Sequence, residues 1–434
     1  MPRARKDGTD LIERYWKEPL KRIWSDEEKF NRWLRVELVV IDFLRRKNIV
    51  SERDWRSIHR RAGFSVRRIA QLESKLQHDV IAFVTNVEER VGPAGRWIHF
   101  GLTSSDVVDT ALSMALQESL DAILGQGDLL LRAIKPLTRR YAKKLIMGRT
   151  HGVFAEPMSL GFKFHVFYSE LARRLDHLRD TRELARVGKL SGAVGMNIYY
   201  SPADESRILR QLGLKAAGDA TQILPRDIFA QISSALALLA TGLEHLAQEI
   251  RHLHRSEVQE IQEGFARGQR GSSAMPHKKN PMLCERVCGL ARIVRSLSLA
   301  QMETIPLWHE RDLTNSSTER ITLPDQTSLA YYMLLLMTRV VEGLTVRSDN
   351  IRANLSKANG VYWSGYLLNR LIRKGWSRNR AYDEVQRVAL QCADQKFDFL
   401  ETIRRDPKLK EYFTDQELKS FSPEIFWKNA LKKL

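Results

Sequence analysis

Residues 231–253 read Gln-Ile-Ser-Ser-Ala-Leu-Ala-Leu-Leu-Ala-Thr-Gly-Leu-Glu-His-Leu-Ala-Gln-Glu-Ile-Arg-His-Leu. Within them Ile232, Leu236, Leu239, Leu243, Leu246, Ile250 and Leu253 recur at alternating steps of four and three. That spacing is a heptad seam, an apolar stripe that a second helix must cover while running nearly parallel or antiparallel to the first. Leu329, Met333, Leu336, Val340 and Gly343 form a second seam. More helical stretches follow Asp109 (Leu112, Leu116, Leu120, Ile123) and Pro157 (Leu160, Phe164, Phe167, Leu171). Helices this long exceed those of ordinary globular domains. Strand signals are weak, since β-branched runs are short and lack hairpin turns. The chain is therefore expected to be all-α: a long central helical bundle at 104–350 that forms an oligomer core, between a smaller N-terminal helical domain at 1–103, rich in Trp and charge, and a C-terminal one at 351–434.

Bulk properties narrow the function. A 434-residue chain that is 43% hydrophobic and 28% charged is an ordinary globular protein, with no apolar run long enough for a membrane span. Its N-terminus is charged and has no apolar stretch behind it, so a cytoplasmic location is expected. Cys284, Cys288 and Cys392 are too few and too poorly spaced for a disulfide framework or a zinc site, and Cys284 and Cys288 read as small core residues. No metal is expected. The formal charge of +18 makes polyanions or phosphorylated substrates natural partners. Its basic pairs, such as Arg67-Arg68 and Lys143-Lys144, are scattered, with no zinc-finger spacing, aromatic RNA-binding strand or continuous basic helix beside them. A basic nucleic-acid-binding helical protein is thus a remote alternative.

Polar islands interrupt the helical pattern. Gln77-His78-Asp79-Val80 puts a histidine inside an apolar-periodic segment. His99 to Asp106 ends in Thr103, Ser104, Ser105 and Asp106, which are N-cap residue types, and the helix start they would cap can also cradle a carboxylate or phosphate. Gly148 to Pro157, just ahead of a long helix, flanks Arg149-Thr150-His151 with glycines that let the backbone approach a ligand, and places there a residue suited to proton transfer near neutral pH. The densest island is Gly271-Ser-Ser-Ala-Met-Pro-His-Lys-Lys-Asn-Pro281, where hydroxyls, a histidine, ammonium groups and a carboxamide share one loop bracketed by glycine and prolines. Gly264, Gly268 and Gly271 lead into it, as the approach to a moving lid requires. Glu285 follows one turn into the next helix, where it could hold a histidine in one tautomer. Between His309 and Arg320, Arg311, Ser316 and Arg320 suit a phosphate.

The loop Gly271–Pro281 resembles the signature of the fumarase/aspartase superfamily, whose members eliminate fumarate from a succinyl group, and within it the chain is most similar to the adenylosuccinate lyase family. Glu13-Arg14-Tyr15, Gln77 to Phe83, His99 to Asp106, Arg149 to Pro157, Ser191 to Gly195, Thr221-Gln222 and Arg311 to Arg320 match that family in order. Departures are Phe154, where the family commonly has His, Lys279 where it has Arg, and Met196-Asn197-Ile198. The C-terminal part matches least.

The resemblance implies cleavage of adenylosuccinate to AMP, and of the succinylated aminoimidazole carboxamide ribotide of purine synthesis to AICAR, with no cofactor. It implies Ser273 as general base, with Ser272 its neighbour, and His151 as general acid steadied by Glu285. His78 would assist His151 or bind near the phosphate. Lys278, Asn280 and the N–H groups from Ser272 to Met275 would stabilise the carbanion's charge, which is the largest catalytic effect in such a reaction. Thr103, Ser104 and Gln222 would hold the succinyl carboxylates, and Arg14, Tyr15, Arg311, Ser316 and Arg320 the nucleotide phosphate and ribose. Asp79, His99 and Thr150 complete the expected binding set. The family builds each site from three subunits of a homotetramer, and the same is expected here, with no membrane or nucleic-acid partner. The nearest rival is another fumarate-releasing lyase or a carboxymuconate-type cycloisomerase of the same superfamily.

Overall fold

The computed structural model describes residues 13–265 and 268–434, so the charged N-terminal start lies outside the described residues. Long helices stand where the seams require them: Ser104–Arg140, Leu160–Leu184, Arg226–His254, Met282–Met302 and Thr314–Glu342. All of the seam positions from Ile232 to Leu253 are buried, as are Leu329, Met333, Leu336 and Val340. The second seam stops there. Gly343 lies past the helix end at Glu342, exposed, its N–H capping the Arg339 carbonyl at 3.1 Å.

The chain is all-α in class, with one correction. Leu145–Thr150 and Val153–Ser159 form an antiparallel hairpin closed by the two-residue turn His151-Gly152. His151 has φ 55° and Gly152 φ 80°, the left-handed pair that a type I′ turn demands. His-Gly is not the usual Asn-Gly or Asp-Gly signal, and Gly148 and Pro157 break the strands' alternation, so the pattern stayed hidden. Two other strand pairs are two residues long: Val187–Gly188 with Lys215–Ala216, and Ile261–Gln262 with Thr345–Val346.

Two compact units emerge. The first holds the described residues of Met1–Asp128 with Arg173–Leu243 and Cys288–Leu335; the second holds Leu129–Ala172, Glu244–Val287 and Leu336–Leu434. The first unit's core gathers Phe30, Trp33 and Phe83, with Phe30 stacked on Phe83 at 5.8 Å and Trp33 edge-on to it at 5.5 Å. In the second, Trp363, Leu367, Leu371, Val388 and Phe399 form a separate core, with Trp363 edge-on to Phe421 at 5.3 Å. Cys284 and Cys288 are buried core residues, as expected, and Cys392 is buried as well. Among the described residues no helix is long and apolar enough to cross a membrane.

Candidate active site

In the first unit a pocket of about 800 Å³ brings together His78, Asp79, Ser104, Arg311, Ser316 and Arg320, which lie far apart in the sequence. His78 is not inside a helix. Gln77, at φ 52°, ends the helix Val66–Leu76, and His78 caps the next, Asp79–Val91, its Nδ1 accepting the Ile81 N–H at 3.4 Å. An accepting Nδ1 leaves the proton of the neutral ring on Nε2. Asp79 accepts the Val80 N–H at 2.8 Å and pairs with Arg320. Burial works to raise the Asp79 pKa, but the charge and hydrogen bond of Arg320 prevail and hold it below the usual carboxylate range. Arg320 also reaches Ser316 Oγ, one turn back, at 3.5 Å.

Arg311 is the pocket's available cation. Among the described residues it makes no hydrogen bond or ion pair with a carboxylate: Nη1 donates to Gln222 Oε1 at 3.3 Å, and Nε is buried without a hydrogen bond. Lys29, Arg32 and Arg226, which also line the pocket, are neutralised by Asp26, Glu118 and Asp109.

Arg226, Asp109 and Glu319 were missed by sequence reasoning. Arg226 grips Asp109 with both terminal nitrogens at 2.8 and 2.9 Å, and its Nε lies 3.1 Å from Glu319, an ion-pair contact off the hydrogen-bonding line. All three are buried. Burial raises the Glu319 pKa, against the pull of Arg226. Glu319 in turn accepts from Asn315 Nδ2 at 3.1 Å, while Asn315 Oδ1 is buried without a partner beside the pocket. One signal was legible: Asp106 and Asp109 fall a turn apart near the start of this helix, with Val107 and Val108 between them.

The helix start at Ser104 is held from behind. Asp106 accepts the Thr103 N–H at 2.8 Å and pairs with Lys189, both side chains fully buried. Lys189 also donates to the Gly192 carbonyl at 3.2 Å, tying the Ser191–Gly195 turn to this helix.

His99 does not line the pocket. Held at φ 63°, it gives both its backbone N–H and Nδ1 to the buried Glu37 carboxylate, each at 2.8 Å. Burial opposes the charged ring, yet the hydrogen bond and charge of Glu37, aided by Asp106, raise its pKa above 6.5. A raised folded-state pKa means the folded chain binds more protons than the unfolded one. The stabilisation is therefore complete below about pH 6.5 and lost as pH rises through the raised value. His99→Gln should flatten that part of the profile, read as urea midpoints from about pH 5 to about pH 9. An unchanged slope would assign the effect to other groups.

Arg14 and Tyr15 sit on the short 3-10 turn Glu13–Tyr15, outside the pocket lining, with the Tyr15 ring 5.4 Å from that of Tyr332.

The second unit carries the other expected residues. His151 and Thr150 are exposed at the hairpin tip. The strand below is anchored by Arg149, whose guanidinium holds the fully buried Glu260 carboxylate at 2.9 and 3.0 Å and lies over the Phe154 ring. In the Gly271–Pro281 loop, Gly271 is buried and a Cβ there would stand 2.2 Å from the Lys278 carbonyl oxygen, so only glycine fits. Asn280 Nδ2 donates to the Gly271 carbonyl at 2.9 Å, and Ser272 Oγ takes the N–H groups of Ala274 and Met275 at 3.3 and 3.0 Å. Three donors expected to face substrate thus organise the loop itself. Ser273, Met275, His277 and Lys278 are exposed. Glu285 is exposed in the first turn of Met282–Met302, and among the described residues no hydrogen bond or ion pair joins it to His151.

A family model described as "Lyase" matches residues 17–295. In fold the chain is similar to fumarate lyase from Mesorhizobium sp. BNC1, with a TM-score of 0.86 at 22% identity over 98% of this chain and 100% of that one. It is likewise similar to the 3-carboxy-cis,cis-muconate lactonizing enzyme from Pseudomonas putida, with a TM-score of 0.84 at 22% identity over 95% and 94%. Family model and fold together define a lyase. A second model, "Adenylosuccinate lyase C-terminus", matches residues 360–432, the part where motif resemblance was weakest. Adenylosuccinate lyase of Aquifex aeolicus (strain VF5) is 43% identical over 423 residues, 96% of this chain and 97% of that protein. The chain belongs to the adenylosuccinate lyase family.

Proposed function

We propose that the chain catalyses β-elimination of fumarate from adenylosuccinate, giving AMP, and from succinyl-aminoimidazole carboxamide ribotide, giving AICAR, in purine nucleotide biosynthesis. The near-full-length relation to an adenylosuccinate lyase carries this reading. A base removes the proton from the carbon beside a succinyl carboxylate, the electron pair forms the fumarate double bond as the C–N bond breaks, and an acid protonates the departing nitrogen. The carboxylate beside the carbanion is the electron sink, so no cofactor enters.

Ser273 is the base, His151 the acid, and Lys278 supports the developing charge. What supports these roles is exposure of all three side chains on a hairpin tip and a loop whose backbones are braced from below. Arg311, which among the described residues makes no hydrogen bond or ion pair with a carboxylate, suits an anionic group of the nucleotide, and the unpaired Asn315 Oδ1 in the same pocket suits a donor on it. Ile293, Leu299 and Met302 are exposed on a long helix, which supports burial against other subunits of a homotetramer whose sites draw on three chains. The same reading puts the chain in the cytoplasm.

Incubating the pure protein with adenylosuccinate should release AMP and fumarate in equal amounts. No release, with turnover of argininosuccinate, malate or a carboxymuconate instead, would replace the reading by another superfamily activity. The similarity to the muconate lactonizing enzyme is one of fold alone.

A further inference from the structure

His254, the last residue of Arg226–His254, joins the two stems of the Gly271–Pro281 loop. Its Nδ1 meets the backbone N–H of Glu263 at 3.2 Å, and its Nε2 meets the Lys279 carbonyl oxygen at 2.9 Å. An amide N–H can only donate and a carbonyl can only accept. The two backbone partners therefore select one form of the ring, neutral with the proton on Nε2.

The N-terminal stem is pinned independently of His254. Ile261–Gln262 pairs with Thr345–Val346, and Gly264 packs so close to Gly343 that a Cβ would come 2.5 Å from its carbonyl oxygen. The Glu263 carboxylate accepts the N–H groups of Leu283 and Cys284 at 3.0 to 3.1 Å, capping the helix that follows the loop. At the C-terminal stem, Lys279 is tied to this frame through His254. Its neighbours Lys278 and Asn280 sit either side of the gripped carbonyl, and Asn280 passes the restraint to Gly271, two residues before Ser273.

We propose that His254 is a positioning residue for the elimination: its grip on the Lys279 carbonyl sets Lys278, Asn280 and, through Gly271, Ser273 in working register. The inference rests on the reading of Ser273 and Lys278 given above, and it makes the loop's geometry depend on a side chain that touches no substrate. Backbone misplacement of a reacting group by about an ångström costs up to about a hundredfold in rate.

Three variants separate the two bonds. His254→Gln retains an amide N–H at the reach of Nε2, His254→Asn retains an acceptor near Nδ1 but falls short of Lys279, and His254→Ala removes both. With adenylosuccinate, kcat should fall roughly ten- to a hundredfold in the Ala and Asn variants while KM stays within about threefold, and the Gln variant should recover most of the rate. Amide hydrogen exchange across 270–281 should quicken in the Ala and Asn variants and not in the Gln variant, with exchange in the 145–159 hairpin unchanged. Wild-type kcat and loop exchange in all three, beside an inactive Ser273→Ala control, would overturn the clasp and leave the proposed function standing. A Gln variant as slow as the Ala variant would also overturn it. If the wild type does not turn over adenylosuccinate, the exchange rates alone decide: unchanged loop exchange in His254→Ala overturns the clasp.

Discussion

Ser273→Ala is expected to lower kcat by about 10²- to 10⁴-fold and to leave folding and assembly intact. The Ser273 side chain is exposed and, among the described residues, makes no hydrogen bond, so its removal takes away chemistry and little else. Its neighbour differs. Ser272 Oγ holds the N–H groups of Ala274 and Met275, so Ser272→Ala would loosen the turn and blur the assignment. A serine hydroxyl acts as a base only when cations and amides surround its alkoxide, so the proposed role requires the exposed loop to close over the substrate. His151→Gln should cripple the reaction similarly, since that residue stands at an exposed hairpin tip and, among the described residues, its side chain makes no hydrogen bond. Mixing the two inactive proteins should restore part of the activity through hybrid sites. Near-normal turnover by Ser273→Ala would move the base elsewhere, and failure of complementation after confirmed subunit exchange would argue against shared sites.

Arg226→Met should destabilise the chain by about 3–5 kcal/mol, the usual cost of stranding buried charge. Methionine fills much the same volume, so packing changes little. What is lost is the cation that holds Asp109 at 2.8 and 2.9 Å and neutralises Glu319, both buried. Asp109 also receives the Leu224 N–H at 2.8 Å, so the strain reaches the start of the Arg226–His254 helix. Replacing all three members together (Arg226→Met, Asp109→Asn, Glu319→Gln) should recover much of the stability, because neutral groups of similar size need no counter-charge and an amide oxygen at position 109 can still accept the Leu224 N–H. Denaturant midpoints measure both effects. A cost below about 1 kcal/mol for Arg226→Met would mean that water or rearrangement relieves the stranded carboxylates.

Arg226→Met should also raise KM for adenylosuccinate. Glu319 orients Asn315, which lines the pocket with Arg311, so the singly substituted protein should also bind the nucleotide less tightly.

The helices were legible in the amino-acid order because their signal is local. A stripe at steps of four and three needs no knowledge of what covers it, and the positions from Ile232 to Leu253 are all buried as the spacing requires. The Gly271–Pro281 loop was legible for a similar reason, since its prolines, glycine and polar groups are contiguous. The cap at His78 was not, because histidine is outside the usual capping residues and only the left-handed Gln77 before it breaks the helix. Neither was the His151-Gly152 turn, whose residues lack the common hairpin signal.

Packing alone decided which charges meet. Asp109 and Arg226 stand 117 positions apart, and Asp79 and Arg320 stand 241 apart. No local pattern announces such pairs. Burial forces each buried charge to find a counter-charge, but which one it finds depends on how helices distant in the chain come to lie side by side. The same dependence left Arg311 without a hydrogen-bonded or ion-paired carboxylate among the described residues and gave His254 its two backbone partners.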